Sequence, residues 1–165
     1  MSSVSQLNAN AVRLDHVAIA VSDLEAAIEF YRDVLGLELV QRRSISGKKS
    51  GMVSAEMSAG PFNIVLVQGT DPESQVTRFV EQFGPGVQHV AIEVDNLACV
   101  ADDLRERGLE FETNIITGPG LTQIFSRRDA VSGVMFEFIE RTGTAGFHED
   151  NVRSLFEQLE LSNAV

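Results

Sequence analysis

The chain has 165 residues, 44% hydrophobic and 22% charged, with a formal net charge of −11. That composition suits one ordinary globular domain. So acidic a chain argues against nucleic-acid partners and anionic membrane surfaces, which are recognised through clustered Lys and Arg.

Residues 1–10 are polar, lack the apolar core of a signal peptide, and are expected to form a disordered leader. Residues 13–21 alternate and are rich in Val, Ile and Ala, the pattern of a buried strand. Asp23 caps the next helix, where Leu24, Ala27, Ile28, Tyr31 and Leu35 recur at helical spacing until Gly36 stops it. Strands follow at 38–43 and 52–57, joined by a Ser/Gly/Lys turn at 44–51, and another at 62–67 after Pro61. Residues 11–70 therefore read as a βαβββ module, and 71–86 as a linker with a helix at 74–83 and a Gly84-Pro85-Gly86 break.

The order then repeats over 87–142: strand 87–94, helix 96–107, strand 109–113, a Gly118-Pro119-Gly120 turn, and strands 121–127 and 133–140. In the remaining stretch, 143–165, Val152, Leu155, Phe156 and Leu159 give a terminal helix one apolar face, with Asp150 or Asn151 as its cap. The expected fold class is α+β, two βαβββ modules forming a curved mixed sheet around a metal site, plus a C-terminal helix. No run approaches the ~20 apolar residues of a membrane span. The single Cys99, on the helix at 96–107, excludes an intrachain disulfide and is read as packing, in keeping with a cytoplasmic setting.

The repeat carries the chemistry. Leu14-Asp15-His16-Val17-Ala18-Ile19 returns as Val87-Gln88-His89-Val90-Ala91-Ile92, and the offset 89 − 16 equals 97 − 24, or 73, for the stretch ending at Leu24 and Leu97. Two of the three histidines thus fall on equivalent strand positions, one per copy. A lone strand histidine is usually a satisfied core residue, but a matched pair points to a shared ion. Glu137, mid-strand among Met135, Phe136, Phe138 and Ile139, is a carboxylate whose burial needs a cation. Two His and one carboxylate form the facial ligand set of non-haem Fe(II) oxygenases. The first-half counterpart of Glu137 falls near residue 64, in an apolar strand, so three protein ligands are expected. His148 lies outside the repeat and reads as a surface or supporting residue. Arg42-Arg43, Lys48-Lys49 and Arg127-Arg128 read as solvated faces, with Arg127 or Arg128 the candidates for orienting an anionic substrate.

These residues resemble the vicinal oxygen chelate (glyoxalase/bleomycin resistance/dioxygenase) superfamily and, within it, the catalytic half of the 4-hydroxyphenylpyruvate dioxygenase and hydroxymandelate synthase family. The stretches that carry the resemblance include Leu14-Asp15-His16-Val17, Gly84-Pro85-Gly86-Val87-Gln88-His89, Leu121-Thr122-Gln123-Ile124-Phe125, Phe136-Glu137-Phe138-Ile139-Glu140-Arg141 and Gly146-Phe147. The resemblance implies Fe(II) on His16, His89 and Glu137, and a 2-oxo acid that is oxidatively decarboxylated and hydroxylated with O2. It implies catalytic roles for Gln123 and Gln75, and substrate contacts from Phe125, Gln88, Gln68, Met135, Phe147 and Val152. Simple alternation sets Gln88 on the opposite face from His89.

The departures matter too. The additional N-terminal module pair of the family is not in this sequence, and the brief Thr113–Gly120 connection replaces a longer one. Met135 and Val152 stand at aromatic wall positions, and an Asn near the substrate is replaced around Gln68. A substrate other than 4-hydroxyphenylpyruvate, aliphatic or differently shaped, is expected, since each aromatic pairing lost removes ~0.5–1.5 kcal/mol. Two other readings stay open: a non-redox divalent-metal isomerase or lyase, and a metal-free ligand-binding or resistance protein. A homodimer is compatible with the paired-module pattern.

Overall fold

The computed structural model describes residues 4–143, 149–162 and 164. In chain order the elements are α1 (Gln6–Asn10), β1 (Ala11–Ala20), α2 (Leu24–Glu29, continued by a π-helical turn, Phe30–Val34), β2 (Glu38–Ser46), β3 (Gly51–Ser58), β4 (Asn63–Gly69), α3 (Gln75–Phe83), β5 (Gly86–Val94), α4 (Leu97–Glu106), β6 (Ile116–Gly118), β7 (Leu121–Phe125), β8 (Met135–Arg141) and α5 (Glu149–Leu161). Two βαβββ modules are joined into one curled mixed sheet with strand order β2-β3-β4-β1-β5-β8-β7-β6. In each module the first strand runs parallel to the last, β1 with β4 and β5 with β8, while β1 and β5 meet antiparallel at the seam.

The duplication reaches individual side chains. His16 pairs with Asn63 as His89 pairs with Met135, and Ala18 pairs with Val65 as Ala91 pairs with Glu137. Val65 is therefore the first-module twin of Glu137, one residue from the position the sequence offset suggests. Asp23 and Asn96 cap α2 and α4 by accepting from Ala26 N and Cys99 N. The next free amides are also served in parallel: Gln68 Oε1 accepts from Leu24 N and Glu140 Oε2 from Leu97 N, both at 2.7 Å.

Both helices cover the outer face of the sheet. Leu24 and Ile28 pack on Ala55, Met57 and Leu66, and Leu97, Val100 and Ala101 pack on Ile124 and Phe138. Each large side chain buried this way contributes ~1.5–3 kcal/mol. The inner face is closed by α3, through Val76 and Phe79 on Ala20 and Val67, and by α5, through Leu159 on Phe125 and Met135. Among the described residues no helix is long and apolar enough to cross a membrane.

Two stretches differ from the sequence expectation. Within the stretch read as a disordered leader, Gln6–Asn10 form α1, because Gln6 N donates to Asp103 Oδ2 at 3.0 Å and Leu7 packs on the α4 cluster. The strand expected at 109–113 is only an isolated bridge, Phe111 to Ser126, and the edge strand β6 forms beside the Gly118–Gly120 turn. Thr113 breaks the ladder there by accepting from Phe125 N with its hydroxyl, at 3.0 Å, rather than with backbone.

Candidate metal centre

Both histidines sit just after a one-residue bulge at the seam. Leu14 pairs with Ile92 and His16 with Ala91, so Asp15 is the extra residue of β1. Ala18 pairs with His89 and Ile19 with Val87, so Gln88 is the extra residue of β5. A bulge breaks strict alternation and re-aims the neighbouring side chain, which overturns the expectation that Gln88 faces away from His89. Each bulged residue holds the histidine that follows it: His16 Nδ1 donates to Asp15 Oδ2 at 2.7 Å, and His89 Nδ1 to Gln88 Oε1 at 3.0 Å. Arg128 secures the second bulge by donating to the Gln88 carbonyl at 2.9 Å while lying over the Phe79 ring. Arg141 secures the first, with two bonds to Asp15 at 2.7 and 3.0 Å.

Donation from Nδ1 leaves a lone pair on Nε2 of each ring. The two Nε2 atoms stand 3.2 Å apart, and Glu137 Oε2 lies 3.0 Å from that of His16 and 3.5 Å from that of His89. Donors bound ~2.1 Å from one cation stand ~3.0 Å apart at a right angle and ~3.4 Å apart at a tetrahedral one. The three edges fit a shared divalent ion. Glu137 is 1% exposed, and its Oε1 has no hydrogen-bond partner among the described residues. An orphaned carboxylate oxygen beside two converging lone pairs is the signature of a cation site.

In the ion-free chain the charges favour a proton on His16, in the place a cation would take. Burial works against ionising Glu137, yet the His16 and His89 rings bring it below its ordinary value. Burial alone would lower His16, but Glu137 and the Asp15 hydrogen bond outweigh it and hold the ring at about 9. His89, braced by a neutral amide, is lowered, mainly by burial. Asp15 is also opposed by burial, but His16 and Arg141 hold it well below the usual carboxylate range.

The three groups open into a cavity of about 70 Å³ on the inner face, lined also by Arg43, Met52, Ser54, Val65, Val67, Gln123, Val152 and Leu155. A second lobe of about 40 Å³ shares Met52, Val67, His89 and Leu155 and adds Gln75, Gln88 and Phe125. Gln123, Gln75, Gln88, Phe125 and Val152 are thus gathered around the triad. Met135 is beside it, buried against Phe125 and Leu159. Gln68 is not brought to the cavity: alternation on β4 turns it outward, where it serves α2 as Glu140 serves α4. Phe147 and His148 lie outside the described residues.

Sequence reasoning passed over Asp15, Arg141 and Ser54, and it left Arg43 on a solvated face. Arg42 does lie outside, paired with Glu25. Arg43 points inward with its side chain 8% exposed, Nη1 3.1 Å from Glu56 Oε2. Nor do Arg127 and Arg128 face the cavity: Arg127 pairs with Glu110 and Glu112 outside, and Arg128 is the bulge clamp.

Residues 13–138 match the family described as the Glyoxalase/Bleomycin resistance protein/Dioxygenase superfamily. A 4-hydroxyphenylpyruvate dioxygenase of Pseudomonas aeruginosa is 29% identical over 167 residues, 79% of this chain and 46% of its own length. The mouse mitochondrial methylmalonyl-CoA epimerase is 34% identical over 129 residues, 76% of this chain and 71% of its own. A triple mutant of 4-hydroxymandelate synthase from Streptomyces coelicolor superposes with a TM-score of 0.83 at 24% identity, covering 93% of this chain and 55% of that one. The chain spans about half the length of the dioxygenase relative it matches.

Proposed function

The chain belongs to the Glyoxalase/Bleomycin resistance protein/Dioxygenase superfamily, and on that footing we propose that it is an Fe(II)-dependent dioxygenase of a small 2-oxo acid. The observation that carries this reading is the three-donor set with Val65 at the fourth equivalent position. An apolar residue there would leave a bound ion with positions unfilled by protein, which a chelating oxo acid and O2 both require. In the reaction the substrate loses its carboxylate as CO2. One oxygen atom of O2 enters the new carboxylate and the other a hydroxyl group.

The bound iron would supply the redox chemistry. The chain's own residues do the rest. His16, His89 and Glu137 hold the ion, and Asp15 and Gln88 fix both imidazoles with Nε2 inward. Gln123 presents an amide to a substrate oxygen, with Gln75 in the second lobe. Phe125, whose ring centroid is 5.1 Å from that of His89, forms a rigid wall. Val152 and Leu155 of α5 exclude water from the same space. Walls of Val65, Val67, Val152 and Met52 favour an aliphatic substrate over a hydroxyphenyl one.

A non-redox epimerase is the second reading, favoured by the 34% identity to the mouse epimerase. It needs a carboxylate or equivalent base at the metal. Glu56, the buried carboxylate that faces Val65 across β3 and β4, is committed to Arg43 and to Asn63 Nδ2, at 3.1 and 2.6 Å. Anaerobic reconstitution with Fe(II), then oxygen-uptake assays across 2-oxo acids, tests the proposal, with His89→Ala expected to be silent. Metal-dependent exchange of an α-proton for deuterium, with no oxygen consumed, would establish the epimerase reading instead.

A further inference from the structure

Module duplication provides an internal control for every inward side chain. Strand pairing makes Ser54 the twin of Gln123 and Glu56 the twin of Phe125, since Ser54 faces Val67 as Gln123 faces Ile139, and Glu56 faces Val65 as Phe125 faces Glu137. One strand further out, Arg43 faces Ser54 as Ile116 faces Gln123. The second module thus fills with Ile116 and Phe125 the two places where the first carries a buried Arg43–Glu56 ion pair.

Stability does not require that exchange. Burying an ion pair costs several kcal/mol per ion in desolvation, and apolar residues of similar size commonly do as well or better. The twin shows that this scaffold accepts them. Nor is the arginine loosely placed. Its Nη1 donates to Glu56 Oε2 at 3.1 Å and its Nη2 to Gln41 Oε1 at 2.7 Å, while Asn63 Nδ2 fixes the other Glu56 oxygen at 2.6 Å. Arg43 is among the residues lining the cavity of the triad, and a guanidinium held in one plane is preorganised for a planar oxyanion.

We propose that Arg43 is the specificity-determining residue of this site and binds a second carboxylate of the substrate, making that substrate a 2-oxo diacid. The inference rests on the oxo-acid reading above. One end of the diacid would chelate the ion through its carboxylate and oxo oxygens; the other would lie against the guanidinium, with Val65, Val67 and Met52 beside the methylenes between.

Binding is measured without turnover. Protein loaded with Fe(II) under argon, and separately with Zn(II), is titrated calorimetrically with 2-oxoglutarate and with 2-oxopentanoate, its analogue lacking the distal acid. Wild type is expected to bind the diacid about tenfold to a hundredfold more tightly, the range for hydrogen bonds to charged groups. Arg43→Met should abolish that preference while changing 2-oxopentanoate affinity less than about twofold; Arg43→Lys should restore part of it. Because Arg43→Met strands Glu56, the double variant Arg43→Met with Glu56→Leu is measured beside it, removing both charges. Equal affinities in wild type, or a diacid preference that survives either Met variant, would overturn the proposal. A preference that depends on Arg43 in both metal forms, with no oxygen uptake once air is admitted, supports Arg43 and removes the oxygenase reading. Protein that binds neither metal overturns both.

Discussion

Asp15 is the sharpest point at which to perturb the centre without touching a ligand. It accepts from His16 Nδ1 at 2.7 Å and from Arg141 at 2.7 and 3.0 Å, and Arg13 adds a contact at 3.2 Å. Loss of such a supporting group typically lowers metal affinity 10- to 100-fold, or about 1.4–2.8 kcal/mol. The second module sets the scale within the range. There an uncharged amide, Gln88, does the same task for His89 at 3.0 Å. Asp15→Asn retains an acceptor for Nδ1 and should fall near the tenfold end. Asp15→Leu removes the acceptor, frees the ring to rotate, and should fall near the hundredfold end. The assay is competition between protein and a chelator of known strength for Co(II), read from the metal's visible absorption. Arg141→Met, which removes the brace but leaves the acceptor, should lie between wild type and Asp15→Leu. Co(II) affinity in Asp15→Leu within about twofold of wild type would refute the reasoning, since the imidazole would then be held by packing alone.

Val65→Gln places a donor at the position equivalent to Glu137; Co(II) affinity should rise and oxygen uptake should fall below about a tenth of wild type, measured on the same samples. Gln68→Leu removes the acceptor for Leu24 N and should cost about 1 kcal/mol of stability by denaturant titration with metal affinity unchanged; a fall in metal affinity instead would return Gln68 to the site. Glu160 ties α5 to the β2–β3 turn by accepting from Ser50 N, Ser50 Oγ and Lys48 N at 2.9, 2.6 and 3.2 Å. Glu160→Gln sets an amide against one of those donors and costs ~1–3 kcal/mol; hydrogen exchange of α5 amides should accelerate about tenfold while the core strands stay protected.

What could be read in the chain, and what could not, divides along the line between period and phase. The helical spacing of Leu24, Ile28 and Tyr31, the Asp23 cap and the Gly84 break have local causes and were legible. So was the triad, because duplication put His16 and His89 on matching strand positions and Glu137 stood among apolar neighbours. Phase along a strand is another matter. A period-2 reading of β2 places Leu39, Gln41 and Arg43 on one face. In the fold Leu39 packs outside against the α2 cluster while Gln41 and Arg43 turn inward, because Val40 is an extra residue between the Leu39–Met57 and Gln41–Glu56 pairs. The bulges at Asp15 and Gln88 act the same way. Such bulges are set by partner strands distant in sequence, so no local window reveals them.

The duplicated fold nonetheless carries an asymmetric site. At the seam the bulges are matched, and the two modules contribute equivalent imidazoles. Outward from it the copies part: Glu137 answers to Val65, Phe125 to Glu56 and Ile116 to Arg43. The second module supplies the acidic ligand and a hydrocarbon wall, and the first supplies an open coordination side and a fixed cation. Each half stabilises its own strands with the same helix caps and outer clusters. Inner-face substitutions are therefore free to diverge without loss of the fold. Beyond the two shared imidazoles, chemistry is accordingly concentrated where the twins differ, and stability where they agree.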